Sequence, residues 1–175
     1  MPVRLVLIAA LDDINGVGKN GGIPWTLPED LKRMRALTLG GCVCYGRRTW
    51  QSLPIVTDGQ YLSQRYNILL TTKFEKLPIG FDSNGSICRT VADALAVAEA
   101  QRFGPLFVLG GYQAWEEALW LARGGVPTHL HLTRVAGEFE CDTFFPKLLS
   151  GWTIIQDGPV IRQPILSKYQ IWTNF

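Results

Sequence analysis

The chain has 175 residues and a net charge of +2, with 47% hydrophobic and 18% charged residues. That composition makes one globular domain of ordinary size over residues 1–175, with enough apolar material for a single substantial core. A charge so near neutral, with no basic run interleaved with aromatics, excludes nucleic acid or a membrane surface as the main partner.

The apolar run Leu5–Leu11 is too short to span a bilayer and lacks a signal peptide's cleavage pattern, so it reads as a buried strand over Val3–Leu11. Asp12–Gly22 follows as a loop with four glycines (Gly16, Gly18, Gly21 and Gly22), either a mobile flap over a site or a solvent loop without duty. A helix is predicted over Leu27–Thr38: Thr26 and Glu29 have the spacing of a capping box, and Pro28 sits in the first turn. On that helix Leu27, Asp30, Leu31 and Met34 share one face, while Glu29, Lys32 and Arg33 point outward. A carboxylate among aliphatic side chains is expensive to bury unless it is paired or used. Taken alone, the segment favours a solvated, idle acid; the rest of the chain shifts the balance.

Strands are then expected near Cys42–Tyr45, Asn67–Thr71, Ser86–Cys88, Leu106–Leu109 and His129–Arg134, with two more at Trp152–Gln156 and Tyr169–Thr173. Helices fit Arg48–Ser52, Val91–Arg102 and Tyr112–Leu121, the second of them capped by Thr90 with Asp93 completing a capping box. Further loops fall at Leu53–Gln64, Gly124–Thr128 and Gly158–Pro164. Such alternation argues for an α/β sandwich on a mainly parallel sheet of about eight strands, its last two strands pairing antiparallel at an edge.

Four cysteines (Cys42, Cys44, Cys88, Cys141) show neither a disulfide framework nor a zinc spacing and read as small core residues in a reducing cytosol. His129 and His131 alternate along a strand without further ligands, so no metal is expected.

Two strand-to-helix turns suit phosphate: Cys44-Tyr45-Gly46-Arg47-Arg48-Thr49-Trp50 and Val108-Leu109-Gly110-Gly111-Tyr112-Gln113. Free N–H groups at a helix start favour an anion, and glycine lets it approach the backbone. Arg47 and Arg48 add charge, and Thr71 and Thr72 add hydroxyls after a third strand. Each turn alone is more often just a turn. Together they suggest a dinucleotide across the carboxyl edge of the sheet, although the fingerprint G-x-G-x-x-G is absent.

These blocks resemble a known family. Ile8-Ala9-Ala10, Gly16-Val17-Gly18-Lys19-Asn20-Gly21, Ile23-Pro24-Trp25, Asp30-Leu31, Thr38 and Gly46-Arg47-Arg48-Thr49-Trp50-Gln51-Ser52-Leu53 come in order. Arg65-Tyr66-Asn67, Val108-Leu109-Gly110-Gly111, Leu132-Thr133 and Asp142-Thr143-Phe144-Phe145-Pro146 complete the series. The chain resembles dihydrofolate reductase over nearly its whole length.

The resemblance implies that family's three-layer α/β fold and hydride transfer from NADPH to C6 of dihydrofolate, with protonation at the neighbouring ring nitrogen. Asp30 matches the single active-site acid that grips the pterin's amino and ring N–H groups, supported by Thr133, with Trp25 and Ile23 beside it on the flap. Burial should raise this carboxyl's pKa and the pterin fork should oppose the shift. Ile8, Ala10, Leu31, Met34, Thr49, Ser52, Leu62, Leu109 and Trp115 would line the substrate, and Arg65 would clamp its glutamate carboxylate. The cofactor would lie along Ala10, Val17, Gly18, Gly22, Gly46, Arg47, Arg48, Thr49, Leu70, Thr71 and Thr72. It would continue over Leu109, Gly110, Gly111, Tyr112, Gln113, Ala114 and Trp115, with Arg47 and Thr72 reaching the 2′-phosphate. Asp142 matches an acid that biases the flap, or is a plain turn residue. The resemblance also implies a cytoplasmic, monomeric enzyme of one-carbon metabolism, with dihydrofolate as substrate and antifolates as inhibitors.

Departures from the family pattern concern ligand affinity. Trp115 replaces a usual tyrosine, Met34 a frequent phenylalanine and Gln113 a frequent arginine; Tyr45 stands where a smaller residue is usual. Leu53–Tyr61 is longer than common bacterial versions, and Tyr61-Leu62 replaces a usual Pro-Leu. Two other readings stay open: a riboflavin-pathway reductase of the same fold, and a folate-binding protein without turnover.

Overall fold

A computed structural model describes residues 3–53, 62–73 and 85–174. Strands β1 (Leu5–Leu11), β3 (Cys42–Gly46), β4 (Tyr66–Leu70), β5 (Gly85–Cys88), β6 (Leu106–Val108), β7 (Thr128–Val135), β9 (Thr153–Ile161) and β10 (Ser167–Thr173) build one sheet. Its order is β5-β4-β3-β6-β1-β7-β10-β9. The pairings β1–β6, β1–β7, β3–β4, β3–β6 and β4–β5 are parallel, while β10 runs antiparallel to both β7 and β9. Helices α1 (Pro28–Thr38), α2 (Arg47–Ser52), α3 (Val91–Ala100) and α4 (Tyr112–Arg123) flank it.

Side-chain alternation along the strands makes the layers. Cys42 and Cys44 face the larger core with Leu5, Leu7, Ile68 and Val108, under Val91, Ala94 and Ala98 of α3 and Ala114, Trp115 and Ala118 of α4. Val43 and Tyr45 face the opposite way with Val6, Leu69 and Phe107, where Leu37 and Trp50 pack. The Tyr45 hydroxyl is satisfied there, donating to Asn67 Oδ1 at 2.9 Å. The cysteines are free thiols, and burial pushes Cys42 up to about 12. Among the described residues no side-chain group could hold a metal, and no helix is long and apolar enough to cross a membrane.

Local rules hold at α3, where Thr90 and Asp93 form the expected reciprocal capping box. They fail at α1. The N-cap is Leu27, so Thr26 lies one residue too early and Glu29 one short of the third position, and no side chain caps the helix. Asp30 holds the third position instead, an acid in the first turn where the helix dipole favours it. Leu27 is buried, Asp30 and Met34 are half-buried, and Leu31 is 41% exposed.

The expected loop Gly158–Pro164 also needs correction, because β9 continues to Ile161. Asp157-Gly158-Pro159 forms an irregularity in an outer strand, with register shifts against β10, and an outer strand tolerates proline. A Cβ on Gly158 would meet the Tyr169 carbonyl oxygen at 2.9 Å, so glycine allows the two strands to close. The C-terminal strand β10 is thus inserted between β7 and β9, and β9 forms the margin. The expected loop Leu53–Gln64 and the Leu53–Tyr61 insertion lie largely outside the described residues.

Candidate active site

The parallel strands end along one edge, and chemistry gathers there. Asp30 enters from α1. Its Oδ1 accepts hydrogen bonds from the Thr133 hydroxyl on β7 and from Arg33 Nη1 at 3.0 Å. Burial pushes the Asp30 carboxyl above its ordinary range, opposed by the Thr133 hydrogen bond and then by the Arg33 charge. Arg33 therefore does not point outward as its helical position suggested. It turns toward Asp30, and its guanidinium lies 4.1 Å from the centre of the Tyr169 ring. Asp30, Arg33, Thr133 and Tyr169 line one cleft with Leu27, Pro28 and Gln163.

Ile8 and Ala10 are half-buried on β1, and Met34 is half-buried on α1. Thr49, Leu62 and Leu109 are half-buried, whereas Ser52 and Ile23 are exposed. Arg65 is 9% exposed. Its Nε donates to Thr38 Oγ1 at 2.8 Å, Nη1 to the Ser63 carbonyl at 2.6 Å and Nη2 to the Arg35 carbonyl at 2.7 Å. Guanidinium carries five N–H groups, so these contacts leave one on each terminal nitrogen, a fork suited to a carboxylate.

The strands β3 and β6 end side by side, with Cys44 opposite Val108. The Gly46 N–H donates to the Gly110 carbonyl at 2.7 Å, which ties the two turns together. The N-caps of α2 and α4 are Gly46 and Gly111, and neither helix has a side-chain cap. Their first-turn N–H groups therefore remain for another acceptor. Cβ atoms on Gly46 and Gly111 would come within 3.5 Å of the Gly111 nitrogen and the Thr49 hydroxyl. That is ordinary contact, so the feature suited to a diphosphate is the pair of adjoining helix starts without side-chain caps. Arg47, Arg48, Thr72, Tyr112 and Gln113 stand exposed around it, with Leu70 and Thr71 half-buried at the end of β4.

Gly110 needs to be glycine. Its φ is +116° and a Cβ would lie 2.8 Å from the Trp115 ring. Trp115 is buried under this turn against Phe145, and its indole N–H donates to the Val108 carbonyl at 3.2 Å. The indole thus presents a surface rather than a spare donor. Ala114 is buried beside it.

The glycine-rich loop is held at several points. Gly16–Gly18 forms a short strand, β2, paired with β8 (Thr143–Phe144), a ribbon that the sequence pattern did not reveal. The Asn20 N–H donates to Asp142 Oδ2 at 2.7 Å, and the Asp142 N–H donates to the Gly18 carbonyl at 2.9 Å. Hydrogen bonds to the carboxyl hold Asp142 below its ordinary range, the Asn20 amide first and the Thr143 hydroxyl next. Asp12, fully buried, accepts from the Gly16 N–H at 2.6 Å and the Phe139 N–H at 3.2 Å, joining the base of the loop to the 137–141 segment. Trp25 is buried edge-on to Phe139, while Val17 is half-buried and Gly22 exposed. Asp12, Arg33 and Tyr169 were missed as site residues. Only Arg33 carried a signal, its i,i+3 spacing from Asp30.

Comparison with known proteins adds a decisive observation: the model of the family described as dihydrofolate reductase matches residues 4–169. This chain belongs to the dihydrofolate reductase family. It is 37% identical over 145 residues to "Dihydrofolate reductase HdrB" of Haloferax volcanii, covering 83% of this chain and 72% of that protein. "Dihydrofolate reductase" of Rattus norvegicus is 31% identical over 183 residues, covering 96% of this chain and 92% of the relative. A "Bifunctional dihydrofolate reductase-thymidylate synthase" of Glycine max is 35% identical over 154 residues, but this chain covers only 27% of it.

Proposed function

We propose that the chain reduces 7,8-dihydrofolate to 5,6,7,8-tetrahydrofolate with NADPH. The observation that carries this reading is the pairing of Asp30 with Thr133 at the start of α1, with Arg65 held by Thr38 at the end of the same helix and glycine N-caps on α2 and α4. When bound, NADPH supplies the hydride.

The remaining work falls to the protein's own side chains. Asp30 accepts the pterin's amino and ring N–H groups and fixes the ring edge-on. Thr133 holds the carboxylate in place from β7. Arg65 receives the substrate's glutamate carboxylate on its two remaining N–H groups. Ile8, Ala10, Leu31, Met34, Thr49, Ser52, Leu62, Leu109 and Trp115 provide the walls, and Trp25 and Ile23 close the flap side. Gly46, Thr49, Gly110, Gly111 and the first turn of α4 cradle the diphosphate, with Arg47, Arg48, Thr71 and Thr72 toward the 2′-phosphate. Excluding water there strengthens each polar contact.

The same reading makes the protein a single-domain, monomeric, cytoplasmic enzyme open to antifolates. The test follows NADPH absorbance with dihydrofolate for the native chain and for Asp30→Asn. Turnover that falls by at least a hundredfold in the variant, with unchanged circular dichroism, supports the proposal. Equal rates reject the role of Asp30. Tight folate binding without turnover in the native chain would favour a binding protein.

A further inference from the structure

Arg33 lies one helical turn past Asp30, and three elements fix it in place. From α1 its Nη1 donates to Asp30 Oδ1 at 3.0 Å; from β10 the Tyr169 ring lies under its guanidinium at 4.1 Å. The Tyr169 hydroxyl is hydrogen-bonded to His131 Nδ1 on β7, and Tyr169 is the register partner of Thr133, the other donor to Asp30 Oδ1. Oδ1 is therefore already supplied by two donors, and Oδ2 is left to meet a ligand.

We propose that Arg33 is a specificity-determining residue of the substrate site, one that makes it favour a neutral dihydropterin over a heterocycle of similar shape carrying its own positive charge. The inference rests on the reading of Asp30 as the pterin acceptor. A neutral amino and ring N–H edge asks of Asp30 only hydrogen bonds. A protonated heterocycle also draws on the carboxylate's full charge, and Arg33 offsets much of that charge from a few ångströms away. The pair is partly sheltered, with side-chain exposures of 29% and 25%, so solvent screens it incompletely. The other titratable groups on the cleft are Glu29 on α1 and Tyr169 on β10, with His131 on β7 behind them, hydrogen-bonded to Tyr169. Burial brings His131 down to about 4 and pushes Tyr169 up, so both are neutral near pH 7. Among the described residues Arg33 is thus the cation whose charge acts on Asp30.

The test measures KM for dihydrofolate and the inhibition constant of a 5-benzyl-2,4-diaminopyrimidine, a base protonated on its ring nitrogen, for native enzyme, Arg33→Gln and Arg33→Lys. Arg33→Gln should tighten the diaminopyrimidine by roughly tenfold, the scale of relieving one like-charge contact in a partly wet site, and move KM less than ~threefold. Binding of the base should also persist to higher pH in Arg33→Gln, because proton uptake beside Asp30 becomes easier. Arg33→Lys keeps the charge and should keep the native ratio of the two constants. If both constants move together, if neither moves, or if Lys behaves as Gln, the proposal is overturned. Should Arg33→Gln fail to fold, Arg33→Met carries the same expectations. Failure of the Asp30 reading is separate: it appears as native turnover in Asp30→Asn, whatever the Arg33 variants do.

Discussion

The Thr38 hydroxyl accepts from Arg65 Nε at 2.8 Å while it donates to the Met34 carbonyl at 2.8 Å, so the last turn of α1 aims a guanidinium that sits far from it in sequence. Thr38 itself is fully buried.

Thr38→Val should leave Arg65 present but mis-aimed, with a buried donor unsatisfied. The expected loss is ~1–3 kcal/mol in substrate binding, seen as a raised KM with a smaller change in kcat. Arg65→Leu should cost more, ~2–5 kcal/mol, because the substrate carboxylate then has no partner. Steady-state kinetics with dihydrofolate separates the two; an unchanged KM in both variants would refute the clamp.

Asp30→Asn should cost activity but not stability. The folded-state pKa of Asp30 lies above its ordinary value because burial penalises the charge. For such an acid the folded state is favoured when protonated, and that advantage is lost as pH rises from the ordinary value of 3.8 through the raised one. Burial penalises the charged carboxylate, and the neutral amide removes that penalty. Thermal melts at pH 7 should show Asp30→Asn at or above the native Tm; a clear fall would contradict the account.

Asp142→Ala should free the loop of the Asn20 clasp while the β2–β8 ribbon and the Asp12 knot stay in place. Hydrogen exchange at the amides of residues 18–22 should quicken, and kcat should fall while Tm scarcely changes. Unaltered exchange at Asn20 would argue against the clasp.

Gly110→Ala adds a Cβ 2.8 Å from the Trp115 ring at a φ of +116°. Backbone strain of this kind is ~1–3 kcal/mol, before any displacement of the indole. Both Tm and NADPH affinity should drop, read by calorimetry and by cofactor fluorescence. Gly125→Ala, at φ +96° but with nothing within 4 Å of its Cβ, should lower Tm and leave cofactor affinity alone.

His131 predicts a pH effect of opposite origin. Burial lowers its pKa from 6.5 to about 4, so the fold prefers the neutral ring. Stability from this group is full above pH 6.5 and is lost as pH falls toward 4. The stability of native protein should decline over that window, and His131→Gln should decline less steeply in urea melts at pH 7, 6 and 5.

Sheet and helices were legible because alternating apolar runs and strand-to-helix glycine turns report local geometry directly. The Thr90–Asp93 cap formed as read because all its atoms lie within one turn. The Thr26–Glu29 pair has the same spacing but a helix start one residue later, a shift that packing of Leu27 in the core favours over a local cap. At Asp157-Gly158-Pro159 the turn residues were real signals misassigned, since an outer strand absorbs them as a bulge. Arg33 was placed outward because helical position fixes where a Cα points, not where a long side chain goes. Its turn toward Asp30 depends on Tyr169, which reaches it only through the fold. The β2–β8 ribbon depends in the same way on segments more than a hundred residues apart, brought together by the whole sheet.

The first strand lies in the middle of the sheet, yet both its neighbours arrive late: Leu5 is opposite Leu106 on one side and Thr128 on the other. A ribosome must therefore make well over half the chain before this apolar segment can be sealed. Until then it is a sticky ribbon with two open flanks, and long loops must close before either is satisfied. Slow refolding, and a need for protection during synthesis, are the natural cost of putting the earliest segment at the centre.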